Sequence, residues 1–233
     1  MSLFSELQRQ RVLKRWQKQD TADLSKAVLD IEQRKTLLAP LIAYLQGDGF
    51  VSLRYEKNHE TAPHHELAYY PDHIKVAKIF VKLYRQLYGR KLRIEKLENH
   101  FRVRSTQRIA YKELIKITEF RSTTWYIPTR FLDNCEKKKL WLRAFYDCEA
   151  YVGPKSIVVQ SVNKYGLKQV QRLLAEFGMS SRFYQYVRKQ KNWNTNYLLA
   201  LFRKEDRQNF LKEIGFNHPN KQKKLIQYLA GVA

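Results

Sequence analysis

The spacing of apolar positions changes period repeatedly along the chain, and the changes predict its elements. LLAPLIAYLQGDG, from Leu37, reads as a compact apolar helix ending at Gly49. Val51, Leu53 and Tyr55 then alternate with Ser52, Arg54 and Glu56, as in a half-buried strand. A loop rich in His and Pro, 58–65, leads to a second strand at 66–70. Ile74, Ala77, Phe80, Val81, Leu83, Tyr84 and Leu87 fall at helical spacing, with Gly89 as the stop. Strands around 91–95 and 100–105, turning at Glu98-Asn99, precede a helix at 108–119. After a connector holding Trp125 and Pro128 the order begins again. A helix at 135–149 and a strand at 156–162 are followed by a helix at 167–178 and strands near 182–188 and 197–203. Helices at 206–214 and 221–230 end the series. The pattern is α+β, αββαββα twice, and a duplication this long dictates architecture before any site is considered. Two further helices are expected ahead of it, a basic one at 5–18 and another at 22–35 after Asp20-Thr21, both good N-cap types. The expected division is an N-terminal helical extension (1–35), a first repeat (36–120), a connector (121–134) and a second repeat (135–233).

Superposing the repeats aligns LIAYLQGDG (41–49) with LRAFYDCEA (142–150). Ala43 and Gly47, like Ala144 and Cys148, are small residues at i,i+4, so they share a face on which two helices can approach closely. Each helix then ends in one acid beside a small residue, Asp48 before Gly49 and Glu149 before Ala150. If the helices pack about a pseudo-twofold axis, the acids meet at its end. Two carboxylates brought together repel unless cations bridge them, which makes a divalent-metal site, and their oxygens suit Mg²⁺, for which Mn²⁺ can substitute.

Charge gives the repeat a partner. Lys and Arg number 44 against 22 Asp and Glu, a net +22 on a chain that is 44% hydrophobic and 13% aromatic. That aromatic content excludes a disordered basic tail, and a folded chain with such an excess most plausibly meets a polyanion, nucleic acid first. No apolar run reaches the length of a membrane span and no signal-peptide core opens the chain. With only Cys135 and Cys148, no disulfide framework is expected, so the protein is expected to be intracellular and cytoplasmic, nucleoid-associated when bound. On the fourth strand Arg102 and Arg104 alternate with Phe101 and Val103, and Arg93 alternates with Leu92 and Ile94. This makes a basic β-surface suited to the major groove, which Ser52 and Arg54 extend. In the second half Lys155, Gln160, Arg182, Arg188 and Lys189 are candidates without a clean alternation. His59, His64, His65 and His73 lack the thiolate partners of a structural zinc site.

The two nonapeptides resemble the paired signature helices of LAGLIDADG homing endonucleases of the single-chain, two-motif type. Leu41, Leu45, Asp48 and Gly49 match the first motif; Leu142, Ala144, Asp147, Glu149 and Ala150 match the second, and Gln46 stands where the first motif has Asp. The resemblance implies two pseudo-twofold-related halves whose four-stranded sheets form a DNA-binding β-saddle. It implies a monomer in which Asp48 and Glu149 bind Mg²⁺ for hydrolysis of both strands of a long double-stranded DNA target. By the same resemblance Lys164 in SVNK and Lys221 in PNKQKK, with Lys223 or Lys224 as competitors, serve as the basic groups beside the scissile phosphates. The first half has no lysine at the matching stretch, and Tyr70 replaces a polar or basic residue at the end of the second strand. Lys137 and Lys139, just before the second motif, are the available substitutes. Unequal cleavage of the two strands follows as an expectation. The absence of protein-splicing blocks and the Lys, Tyr and Arg usage lean towards an intron of a thermophilic archaeon. An RNA maturase that binds intron RNA, or a non-catalytic binder of the same fold, is the competing reading.

Overall fold

The computed structural model describes residues 29–56, 59–187 and 194–231, with the backbone alone for 54–56 and 59–63. The expected helix at 5–18 and the first part of that at 22–35 lie outside these residues, as does Arg188.

The first half runs α1 (Ile31–Gly47), β1 (Gly49–Glu56), β2 (His59–Tyr69), α2 (Ile74–Tyr88), β3 (Ile94–Lys96), β4 (Phe101–Ser105) and α3 (Arg108–Ile117). The second repeats it as α4 (Cys135–Glu149), β5 (Ala150–Val152), β6 (Ile157–Ser161), α5 (Lys164–Glu176), β7 (Arg182–Tyr186), β8 (Asn196–Leu201) and α6 (Lys204–Glu213), and α7 (Pro219–Leu229) closes it. The sheets have matching orders, β1-β2-β4-β3 and β5-β6-β8-β7, and every pairing is antiparallel. This is the α+β duplication expected, with seven helices among the described residues. None of those helices is long and apolar enough to cross a membrane.

Several boundaries differ from the sequence reading. The break expected between residues 35 and 37 is absent: α1 is one helix, capped by Asp30, whose carboxylate accepts from the Gln33 amide at 2.7 Å. A boundary at residue 36 would therefore cut α1. β2 begins at His59, inside the expected loop. β4 pairs only with Leu67–Tyr69, so Pro63 lies where β2 has just one partner strand and a missing N–H is tolerated. β5 spans three residues, too few for a periodic signal. Finally, α5 starts at Lys164 because Asn163 caps it, its side chain accepting from the Gly166 amide at 3.0 Å.

One core spans both halves. Tyr44, Tyr69, Phe80, Tyr84 and Tyr88 form its first-half aromatic layer, and Trp125, Trp141, Phe145, Tyr146 and Phe210 its second. Burial on this scale, at about 25 cal/mol per Å² of apolar surface, gives the long helices a stability their sequences alone lack.

Candidate active site

α1 and α4 pack side by side and end together, and their small residues allow the approach. Ala43 and Ala144 are fully buried. A Cβ at Gly47 would lie 2.5 Å from Cβ of Cys148, closer than two carbons can sit, so only glycine fits. Burial pushes the Cys148 thiol well up, and its sulfur is 3.7 Å from the Tyr69 hydroxyl. It is packing, not a nucleophile. Gly49 is needed as well, because its Cβ would meet the Ala68 carbonyl at 2.8 Å where α1 turns into β1.

The sixth motif residues differ in chemistry and act alike. Asp147 accepts from the amides of Asn217 (2.8 Å) and His218 (2.9 Å) and from the Tyr44 hydroxyl (3.0 Å). It ties the segment before α7, and α1, to the end of α4. Gln46 donates to Thr118 Oγ1 (3.1 Å) and to the carbonyls of Glu119 (3.2 Å) and Tyr126 (2.9 Å), while accepting from Trp141 Nε1 of α4 (3.2 Å). In each half the residue fastens the segment that follows the repeat's last paired helix and takes one hydrogen bond from the opposite motif helix. An amide suits the first half because that segment presents oxygens; a carboxylate suits the second because it presents N–H groups.

Asp48 and Glu149 follow at the helix ends. Asp48 caps α1, and its carbonyl accepts from the Tyr70 amide at 2.8 Å. A Glu149 carboxylate oxygen lies 3.7 Å from the Cβ position of Gly47, which places it against the end of α1. Burial pushes both carboxyls up, Glu149 to about 7, where the neighbouring Asp48 charge adds to the rise. Each acid also sits at the negative end of a helix dipole. Lys221 opposes this: its Nζ donates to the carbonyls of Asp147 and Cys148 (2.9 Å for the latter), and its charge pulls both acids down. The structure thus brings Lys221 to the acids. Lys164 is exposed at the start of α5, its Nζ 5.9 Å from the centre of the Tyr197 ring, and contacts neither acid among the described residues.

Two hard carboxylates, desolvated and mutually repelling, fit Mg²⁺ or Mn²⁺, which are commonly held by one or two carboxylates with phosphate oxygens and water completing the shell. Among the described residues no group of three His, Cys, Asp or Glu could hold a metal. Asp48 and Glu149 would therefore share such a cation with a substrate.

Two expected substitutes for the missing first-half lysine are corrected. Lys137 is fully buried near the start of α4, bonded to Glu32 (2.5 Å) and Asp133 (2.6 Å), twelve residues and roughly 18 Å along the helix from Glu149. Lys139 pairs with Glu213. Lys137 ties the opposite end of α4 to α1, and Lys139 ties α4 to α6. One site residue escaped sequence reasoning: Asp72, whose Oδ1 lies 3.0 Å from Nε2 of His218 across the two halves. That hydrogen bond holds the Asp72 carboxyl below its ordinary range. The His218-Pro219 step, a side-chain cap before Pro at the first helical position, was the available signal for the histidine.

The outward sheet faces differ. On the first, Arg102 donates through Nε (2.8 Å) and Nη2 (2.5 Å) to Glu95, and Arg104 donates to Glu66 at 2.6 Å. Arg93 is exposed just before β3, and its charge helps to lower the Glu95 carboxyl. Ser52 pairs with Glu66 across β1 and β2, and its hydroxyl oxygen is buried with no partner among the described residues. Arg54 pairs with His64 through the backbone. On the second face Gln160 is exposed one step past the Ala150–Val159 pair, level with Glu149, and Lys155 is exposed in the β5–β6 turn.

Residues 136–215 match the family model of the LAGLIDADG-like domain. The homing endonuclease I-DmoI, solved as mesophilic variants and in complex with DNA and Mn, superposes with TM-scores of 0.63 and 0.61 at 18% identity, over 78% of this chain and 96–97% of those. Full-length DUF199/WhiA from Thermatoga maritima superposes at 0.53 and 10% identity, over 89% of this chain and 65% of its own. Among curated proteins, a glutamine–fructose-6-phosphate aminotransferase of Methanocaldococcus jannaschii is 33% identical over 87 residues, 36% of this chain. A replication factor C small subunit of Thermococcus kodakarensis is 30% identical over 102 residues, 44% of this chain. The chain spans only 8% and 11% of the length of these two relatives. The chain thus carries a LAGLIDADG-like domain in its second half and has the single-chain, two-motif homing-endonuclease fold.

Proposed function

We propose that the chain is a monomeric, site-specific homing endonuclease that hydrolyses both strands of double-stranded DNA with a divalent metal, Mg²⁺ in the first instance. The observation that carries this reading is the meeting of Asp48 and Glu149, with Lys221, at the ends of two helices flanked by two sheets. Bound there, a divalent cation would activate water and stabilise charge on the leaving oxygen. The chain's own residues do the rest. Asp48 and Glu149 would hold that cation against the scissile phosphates, and Lys221 offsets the charge of the acids and of the attacked phosphate. Lys164 and Gln160 complete the second-half rim, while Arg93, Arg102, Arg104, Arg54, Ser52, Lys155 and Arg188 position the duplex. Two relatives with unrelated names each match 36–44% of this chain and only 8–11% of their own length, as expected of a module that moves between genes.

The test is incubation with Mg²⁺ and the uninterrupted DNA formed by joining the sequences that flank its gene. Cleavage is expected, and Asp48→Asn or Glu149→Gln should lower its rate by roughly 10³-fold or more while leaving DNA binding intact. Retained cleavage in either variant overturns the metal assignment. No cleavage by the parent protein, together with tight binding of intron RNA, would establish the maturase reading instead.

A further inference from the structure

A surface that only gripped phosphate would carry no carboxylates, yet among the described side chains the outward face of the first sheet holds two. Glu95 stands directly opposite Arg102 in the β3–β4 register, and Glu66 lies on β2 diagonally from Arg104 on β4. Their partners are these arginines. Arg102 gives its Nε–Nη2 edge to one Glu95 oxygen, which leaves Nη1 and the outer N–H of Nη2 as a fork. Arg104 gives only Nη2 to Glu66. Exposure is graded in the same sense: the Glu66 side chain is 9% exposed, while that of Arg104 is 47% exposed. The carboxylate is the fixed end of the pair and the guanidinium the reaching end.

From this arrangement we infer that Glu66 and Glu95 are positioning residues for base-specific recognition, setting the forks of Arg104 and Arg102 for one hydrogen-bonding edge, of guanine O6 and N7. The inference rests on the DNA-binding reading of this sheet and deepens it. A guanidinium held by a carboxylate loses less rotamer entropy when it forms a bidentate pair, and its neutralised charge weakens its pull on any phosphate. Both effects favour discrimination over affinity. The carboxylates also repel the backbone of a misplaced duplex, so non-cognate DNA meets a penalty that the correct guanine relieves.

The experiment selects bound duplexes from a randomised library with the full chain and its Glu66→Gln, Glu95→Gln and Arg102→Ala variants, then measures affinity for the selected site and for unrelated DNA. The Gln variants are expected to bind unrelated DNA several-fold more tightly. They should lose roughly tenfold discrimination at one or two G·C positions each, because a bidentate pair is worth about 1–3 kcal/mol. Glu95→Asp should recover part of that discrimination, which a loss of general stability would not allow. Unchanged discrimination in both Gln variants, with the parent still selecting a site, overturns the inference. If the parent selects no site, or Arg102→Ala leaves binding untouched, it is the DNA-binding reading of the sheet that fails.

Discussion

The two halves share topology, strand order and the geometry of their motif helices, yet they solve their surfaces differently. The outward face of the first sheet is built of paired charges, Glu95 with Arg102 and Glu66 with Arg104. That of the second exposes Tyr151 (66%), Tyr184 (43%) and Tyr186 (58%), with Phe202 under Arg182 at 5.8 Å. Near the acids the halves diverge again: Lys221 donates to the last carbonyls of the second motif helix, whereas Tyr70 follows β2 and donates its amide to the Asp48 carbonyl. The halves agree in what holds the backbone together and differ in what faces outward.

The sixth motif position offers the strongest way to break this equivalence. Gln46→Glu would face a carboxylate with three oxygen acceptors, and unfolding free energy should fall by about 3 kcal/mol or more in denaturant titration. Asp147→Asn should cost less, since its amide keeps one oxygen for the Asn217 and His218 amides. Equal losses would mean that the two clamps do not depend on the polarity of the segments they hold.

The acidic centre comes next. Glu149 titrates at about 7 when folded against an ordinary 4.5, so between these values the folded chain holds a proton that the unfolded chain has released. Without metal, this group's contribution to stability is therefore fully present below about pH 4.5 and is lost as pH rises through about 7, by about 3 kcal/mol. Thermal unfolding across this range checks it, and the decline should shrink in Glu149→Gln.

Strand order sharpens the comparison further. With Lys221 hydrogen-bonded to the end of the second motif helix and no matching lysine on the first, end-labelled duplex should show one strand nicked roughly tenfold before the other, as loss of one general electrostatic group would produce. Equal rates would make the absent first-half lysine irrelevant. The smallest effect concerns salt. Arg93→Ala should reduce the slope of log K against log[salt] by about one contact, whereas Tyr186→Ser should lower affinity and leave the slope unchanged. Equal slopes for both would mean that the aromatic face also works through phosphate.

Much of this was legible in the residues. Periodicity marked most elements of both repeats, because each buries one face and the burial sets the period. The small residues at 43, 47, 144 and 148 announced a close helix pair, and the acids after them a charged centre. Long-range partners were not legible. Asp147 looked like a motif position, but its work depends on amides 70 and 71 residues away. Asp72 and His218 come from opposite halves, 146 residues apart. Lys137 stood close to the motif in sequence, yet the helix carries it to the far end, where Glu32 and Asp133 take its charge.

By itself, then, the sequence determined the duplication, the helix pair and the position of two acids in a chain of net charge +22. These are local properties: spacing, side-chain size and charge act on the chain wherever it goes. Only the tertiary structure decided which lysine meets the acids, which arginines are held by carboxylates and which polar residues are clamps. Each of those depends on groups that are distant along the chain and meet only once the core has closed.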